Sequence, residues 1–223
     1  MVTKTILITG AGTGLGKELA FAYSRLGHTI ILTGRRPEPL QQVEKEIQAN
    51  GGKAFTYLID VTNYEDLVKK VEQIVDAHDF HVLINNAGAG CFGPLNELQI
   101  KQINECIMTN VNGTIYMSKA SLPFLSKVDN SKVLNIISTA CLKGKVNESV
   151  YVASKYAIRG FTESLQKEWE GKITFKAVYM GGMDTPFWEN TDHIADKTRL
   201  KDPKAIAEKI VQLDEEGQIE IVI

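Results

Sequence analysis

Thr9-Gly10-Ala11-Gly12-Thr13-Gly14-Leu15-Gly16 is the stretch on which the fold turns. It is preceded by Thr5-Ile6-Leu7-Ile8, a short apolar run of the kind that forms a strand buried on both faces. From Gly14 to Leu26 the apolar residues Leu15, Leu19, Ala22 and Leu26 fall on one helical stripe, and Gly27 ends it. The stretch is therefore a glycine turn between a strand and a helix. Glycine is conformationally costly, so repeated glycines in a tight turn need a reason. The reason this context offers is phosphate. Without side chains the backbone can approach a pyrophosphate closely, and the helix N-terminus presents free N–H groups and partial positive charge. The plainer alternative is a flexible turn.

Outward from that turn, short β-rich runs alternate with longer helical patterns. Strands are expected at Thr29–Thr33, Ala54–Ile59, His81–Ile84, Lys132–Ile137, Ile173–Tyr179 and Ile219–Val222. Helices are expected at Leu40–Ala49, Glu65–Ala77, Gln99–Leu125, Val150–Trp169 and Pro203–Leu213. Such alternation implies βαβ units with right-handed crossovers. The expectation is an α/β fold: residues 1–223 form a single doubly wound Rossmann-type domain, with a seven-stranded parallel sheet and helices on both faces. Its ligand belongs beyond the C-terminal strand ends.

Composition narrows the function classes. The chain has 223 residues, 43% hydrophobic and 23% charged, with a formal net charge of −2. That is an ordinary globular composition, and no basic field points to nucleic acid or an anionic membrane. No apolar run approaches the roughly 18 residues that span a bilayer, and the N-terminal stretch enters a strand without a secretory signal. Cys91, Cys106 and Cys141 have no CxxC spacing, and none of His28, His78, His81 and His193 stands in an HExxH pattern. Neither a disulfide framework nor a metal site is expected. Reduced thiols fit a cytoplasmic protein.

The nucleotide is read at the end of the second strand. An acidic residue there would bond the 2′-hydroxyl of NAD, but this strand ends Thr33-Gly34-Arg35-Arg36. An arginine can pair with a 2′-phosphate, so the expected cofactor is NADP(H). Arg35 and Arg36 as merely solvated charges is the alternative.

Tyr151 and Lys155 stand four apart on an expected helix and so share one face. A tyrosine ordinarily titrates near ~10, and a neighbouring ammonium favours its phenolate. Such a pair can act as general acid and base on a carbonyl or alcohol. Ser138 ends an expected strand at the ligand edge, where its hydroxyl can donate to a substrate oxygen. Asn110 lies in a helical region closely followed by Gly113, a poor helical context that leaves room for a polar task.

With these residues together, the sequence resembles the short-chain dehydrogenase/reductase family over nearly its whole length. The glycine pattern is met by Thr9, Gly10, Gly14 and Gly16, and the NNAG motif by Asn85, Asn86, Ala87 and Gly88. The catalytic quartet is matched by Asn110, Ser138, Tyr151 and Lys155, and Asp60-Val61 matches the pair beside the adenine. The resemblance implies that Tyr151 is the general acid in reduction and the base in oxidation. Lys155 would hold the nicotinamide ribose and lower the Tyr151 pKa, Ser138 would bind the substrate oxygen, and Asn110 would hold a water in a proton relay. Gly10, Thr13, Gly14, Leu15, Gly16, Arg35, Arg36, Asp60, Val61, Asn86, Ala87, Gly88, Gly181, Met183 and Thr185 would join Tyr151 and Lys155 around NADP(H).

Two departures stand out. Met180 replaces the proline usual after the sixth strand, and the glycine turn carries Thr13 where NADP-preferring members often have a basic residue. The segment between Thr185 and Asp202 is short, which implies an open or partner-completed substrate pocket. Cys91, Phe92, Cys141, Phe187 and Trp188 are candidate pocket residues, or ordinary packing. His193 reads as a solvated residue of that segment.

The expected function is NADP(H)-dependent interconversion of a small-molecule carbonyl and its alcohol, in a homodimer or homotetramer. A redox sensor without turnover is an alternative, as is a scaffold built on the long helices.

Overall fold

The computed structural model describes residues 3–189, 191, 193, 194 and 196–223. Its centre is one seven-stranded parallel sheet in the order β3-β2-β1-β4-β5-β6-β7. The strands are β1 (Thr5–Thr9), β2 (Thr29–Gly34), β3 (Lys53–Leu58), β4 (Val82–Asn85), β5 (Lys132–Ile136), β6 (Thr174–Tyr179) and β7 (Glu220–Val222). The helices are α1 (Gly14–Arg25), α2 (Pro37–Ala49), α3 (Tyr64–Ala77), α4 (Ile100–Ile107), α5 (Gly113–Leu125), α6 (Ser149–Glu168) and α7 (Pro203–Glu215).

The period of two along each strand divides the core. In β1, Ile6 and Ile8 face one layer with Leu15, Leu19, Val43 and Ile210 from α1, α2 and α7. Leu7, between them, faces the other with Leu67, Met117 and Leu165 from α3, α5 and α6. Both faces are therefore covered, and full burial of each such side chain is worth roughly 1.5–3 kcal/mol. The strand order reverses between β1 and β4, and from these two parallel strands the connections lead to opposite sides of the sheet. Their C-terminal ends part there and leave a crevice.

Polar side chains hold the crevice open. Thr9 Oγ1 accepts the Asn86 and Ala87 N–H groups at 2.9 and 3.0 Å, joining β1 to the end of β4. Asn85 donates to Ser118 Oγ at 3.0 Å and Asn135 Oδ1 at 2.9 Å, and Asn135 donates to Thr162 Oγ1 at 2.9 Å. This buried chain ties β4, β5, α5 and α6 at the level of the site.

The helical region expected at Gln99–Leu125 is interrupted. Between α4 and α5 the chain makes a π-helical turn, Met108–Asn112, with Asn110 at its middle. A π turn holds one more residue than an α turn and rotates the side chains that follow. The 3.6 periodicity of the flanking segments hides such an insertion. Among the described residues no helix is long and apolar enough to cross a membrane.

Candidate active site

A cleft of about 540 Å³ runs along the C-terminal edge of the sheet. At one end lie Gly10, Thr13, Gly14 and Leu15, with Arg35 and Arg36 following β2 and Asp60 and Val61 following β3. Its middle is lined by Asn86, Ala87 and Gly88 after β4, and by Gly181, Met183 and Thr185 after β6. At the other end are Ser138, Tyr151 and Lys155. Residues distant in sequence thus meet because seven parallel strands end at one edge.

Two expected residues stand behind the surface. Gly16 does not line the cleft; a Cβ there would lie 2.3 Å from the Gly10 carbonyl oxygen and 2.5 Å from Asn86 Nδ2. It is the position that lets α1 press against the turn. Asn86 Nδ2 in turn donates to the Thr9 and Gly10 carbonyls, at 2.9 and 3.2 Å, and clamps the turn's shape. Gly14 has φ +54°, and a Cβ there would approach Thr185 to 3.2 Å, so the turn and the segment after β6 meet over glycine. Asp60 Oδ1 accepts from Thr62 N–H at 2.9 Å and from its hydroxyl at 2.7 Å, which holds the carboxylate at the cleft end.

Asn110 is the second. It is 2% exposed and its side chain is fully engaged. Oδ1 accepts from Ala89 N–H at 2.7 Å, and Nδ2 donates to the Ala89 carbonyl at 2.9 Å and Ser154 Oγ at 3.0 Å. Ser154 Oγ donates to the Tyr151 carbonyl at 2.7 Å, and Cys106 Sγ lies 3.4 Å from Asn110 Nδ2. The π turn therefore braces the first turns of α6 through Ser154. The sequence reading passed over Ser154 and Cys106. Ser154 stands three residues after Tyr151, on the same helical face, and that spacing was the available signal.

The chemical groups are buried. Tyr151 is 7% exposed and Lys155 6%. Lys155 Nζ donates to the Ile136 carbonyl at 3.1 Å and lies 5.7 Å from the Tyr151 ring centroid. Burial pulls the Lys155 ammonium down to about 8, against upward influence from Cys106 and Cys141. Burial also pushes the Tyr151 phenol above its ordinary range, aided by the Glu148 carboxylate, while hydrogen bonding with Ser138 pulls it down. This alters the expectation drawn from Tyr151 and Lys155 alone. Helical spacing showed their proximity but not their desolvation, and burial is the largest influence on each. Ser138 Oγ accepts the Ala140 N–H at 3.1 Å, leaving its own proton for another acceptor.

The segment after Thr185 covers Tyr151 from within the same chain. Phe187 lies 5.9 Å and Phe92 5.3 Å from the Tyr151 ring, and Trp188 Nε1 donates to the Met183 carbonyl at 2.9 Å. The partner-completed pocket expected from the short segment is therefore not needed to shield the phenol. Cys91 packs in the same cluster as Tyr151, whereas Cys141 packs behind the site with Ile158 and Tyr179. His193 is not solvated: its ring stacks on Phe92 at 4.7 Å, and Nε2 lies 3.0 Å from Glu148 Oε1.

Residues 4–195 match the family model for the short chain dehydrogenases. The chain belongs to the short-chain dehydrogenase family. It is 35% identical over 192 residues to the 3-ketodihydrosphingosine reductase of Bacteroides thetaiotaomicron, covering 85% of this chain and 68% of that one. A short-chain dehydrogenase of Shigella flexneri 2a, solved in complex with NADP, superposes with a TM-score of 0.91 at 28% identity, covering 98% of this chain and 95% of that one. The actinorhodin polyketide ketoreductase, solved with NADPH, superposes at 0.90 and 26% identity, covering 99% and 95%. This short-chain dehydrogenase is accordingly an oxidoreductase.

Proposed function

We propose that this dehydrogenase uses NADP(H) to interconvert a small-molecule carbonyl and its alcohol, with Tyr151 as general acid and base. The observation that carries the reading is a single cleft with two arginines at one end and Ser138, Tyr151 and Lys155 at the other. The residues fit the nucleotide. The turn from Gly10 to Leu15, without side-chain bulk at its glycines and backed by the N-terminus of α1, suits a pyrophosphate. Arg35 and Arg36 suit a 2′-phosphate, Asp60 and Val61 would flank the adenine, and Lys155 suits the nicotinamide ribose. NADP(H) supplies or accepts the hydride.

The protein's own groups handle the oxygen and the proton. In reduction, the Ser138 hydroxyl donates a hydrogen bond to the substrate carbonyl oxygen, where negative charge grows. The Tyr151 phenol transfers its proton to that oxygen, forming the alcohol O–H and leaving a phenolate. Burial keeps the phenol protonated at rest, so the proton is in place, and the Ser138 hydrogen bond favours its release. Lys155, at about 8, can hold or release a proton near neutral pH and so return one toward the phenolate. Oxidation reverses each step. Asn110 acts through Ser154 by holding α6 in place.

The reading extends to a cytoplasmic homodimer or homotetramer. Three buried free thiols suit a reducing compartment, and the exposed apolar Ile100 on α4 and Tyr156 on α6 suit a subunit contact. The test is turnover. The wild type should oxidise NADPH in the presence of a ketone, and Tyr151→Phe should lose about 10²–10⁴ of kcat while binding NADPH within about threefold of wild type. Equal turnover by Tyr151→Phe would refute the assignment.

A further inference from the structure

Glu148 is a buried carboxylate that the mechanism above does not use. It is 7% exposed and lines the substrate end of the cleft, three residues before Tyr151. Among the described residues, the only other carboxylate lining the cleft is Asp60, at the opposite end. Glu148 occupies the N-cap position of α6, yet its side chain makes no capping bond to that helix. Helix capping therefore does not account for it. Oε1 takes the His193 Nε2 at 3.0 Å. The nearest cation to Oε2 is Lys145 Nζ at 3.8 Å, too far for a hydrogen bond. Oε2 thus borders the cleft without a hydrogen-bond donor among the described residues.

Burying a carboxylate next to a catalytic phenol is costly unless positive charge offsets it, and the part-exposed Lys145, ion-paired at 3.8 Å without a hydrogen bond, offsets it only weakly. The surroundings suit a cation. Phe187 and Trp188 line the same end, 5.0 Å apart and edge to face. Aromatic faces attract ammonium groups, more strongly when water is excluded. We propose that Glu148 Oε2 is a subsite for a protonated amine on the substrate, close to the carbonyl that Ser138 and Tyr151 engage. The preferred substrates are then amino ketones and the matching amino alcohols. Glu148 is a specificity residue, and Phe187 and Trp188 form the apolar flank. The inference rests on the carbonyl reductase reading of the same site.

The test compares three probes of one shape with NADPH: 2-amino-1-phenylethanone, 2-hydroxy-1-phenylethanone and propiophenone. The amino ketone should be favoured over propiophenone by about tenfold in kcat/KM, mainly through KM, and Glu148→Gln should bring that ratio within about twofold of unity. A wild-type ratio near one overturns the subsite, as does a ratio that survives Glu148→Gln. Equal preference for the hydroxy ketone overturns the role of charge. Calorimetry on the NADP-bound protein separates this inference from its premise. The probes there are 2-amino-1-phenylethanol and 1-phenylpropan-1-ol. If no ketone is reduced but the amino alcohol binds in a Glu148-dependent way, the reductase reading fails and the subsite stands. If the two alcohols bind equally, the subsite fails whatever the turnover.

Discussion

Replacing Lys155 by methionine separates the energetic consequence of its burial from its chemical role. In the folded chain burial holds this ammonium at about 8, against an ordinary value of 10.5. The difference, 10.5 − 8 = 2.5, corresponds at about 1.36 kcal/mol per unit to roughly 3 kcal/mol. Below pH 8 the lysine is charged in both folded and unfolded chains, and the folded state carries the whole penalty. Between 8 and 10.5 the unfolded chain binds a proton that the folded chain lacks, so stability from this group rises with pH. Above 10.5 the penalty is gone. Lys155→Met removes the titration. It also orphans the Ile136 carbonyl, which costs about 1–3 kcal/mol at every pH. Urea unfolding of nucleotide-free wild type and variant, across a series of pH values, isolates the titrating part. The stability of the variant relative to wild type should fall by about 3 kcal/mol from neutral pH to 10.5. The Tyr151 phenol, raised by burial, pulls the other way at high pH but does so in both proteins. A difference constant to within about 0.5 kcal/mol over that range would refute the argument that desolvation governs Lys155.

Further outcomes follow from other parts of the molecule. Asp214 is buried between Lys132, Lys176 at 2.8 Å and the Tyr23 hydroxyl at 2.7 Å, at the edge of the sheet away from the cleft. Burial pushes its carboxyl up, but the two ammonium groups outweigh that and hold it below the ordinary carboxylate range. Asp214→Asn should therefore cost about 3–5 kcal/mol and lower Tm by roughly 6–20 °C, read by calorimetry, with NADPH affinity unchanged. The carboxylate's contribution is present above its unfolded pKa, near 3.8, and is lost as pH falls through the lower folded value. Arg35→Ala should weaken NADPH binding by tenfold or more and leave NADH binding alone, followed by nucleotide fluorescence; equal loss of both would count against a 2′-phosphate contact. Ser154→Ala removes the link from Asn110 to the Tyr151 carbonyl and should lower kcat about 5–30-fold with NADPH affinity intact, measured by steady-state kinetics.

The chain's local pattern was enough for the order of strands and helices, the glycine turn and the Ser138, Tyr151 and Lys155 that line one end of the cleft. Those features depend on short-range patterns: the unbroken apolar run of β1, the 3.6 period along α1, the four-residue spacing of Tyr151 and Lys155 on α6, and the strand–glycine–helix junction at Thr9–Gly16. Even the boundaries of β1, β2 and β6 lie within a residue of the expected ones, because apolar runs end where the backbone leaves the sheet. The π turn at Asn110 was not legible, since one inserted residue leaves the periodicity on either side intact. Gly16 resembled its neighbours in sequence, and only the packing of α1 against Gly10 removed it from the cleft wall. The desolvation of Tyr151 and Lys155, the engagement of His193 with Glu148 45 residues away and the burial of Asp214 between lysines 82 and 38 residues away depend on contacts that only the packed chain makes. Sequence determined which residue types follow one another and hence the fold and its motifs. Tertiary structure decided which charges lose water and which partners they then meet, because desolvation is a property of the whole packed shell and not of any local run of residues.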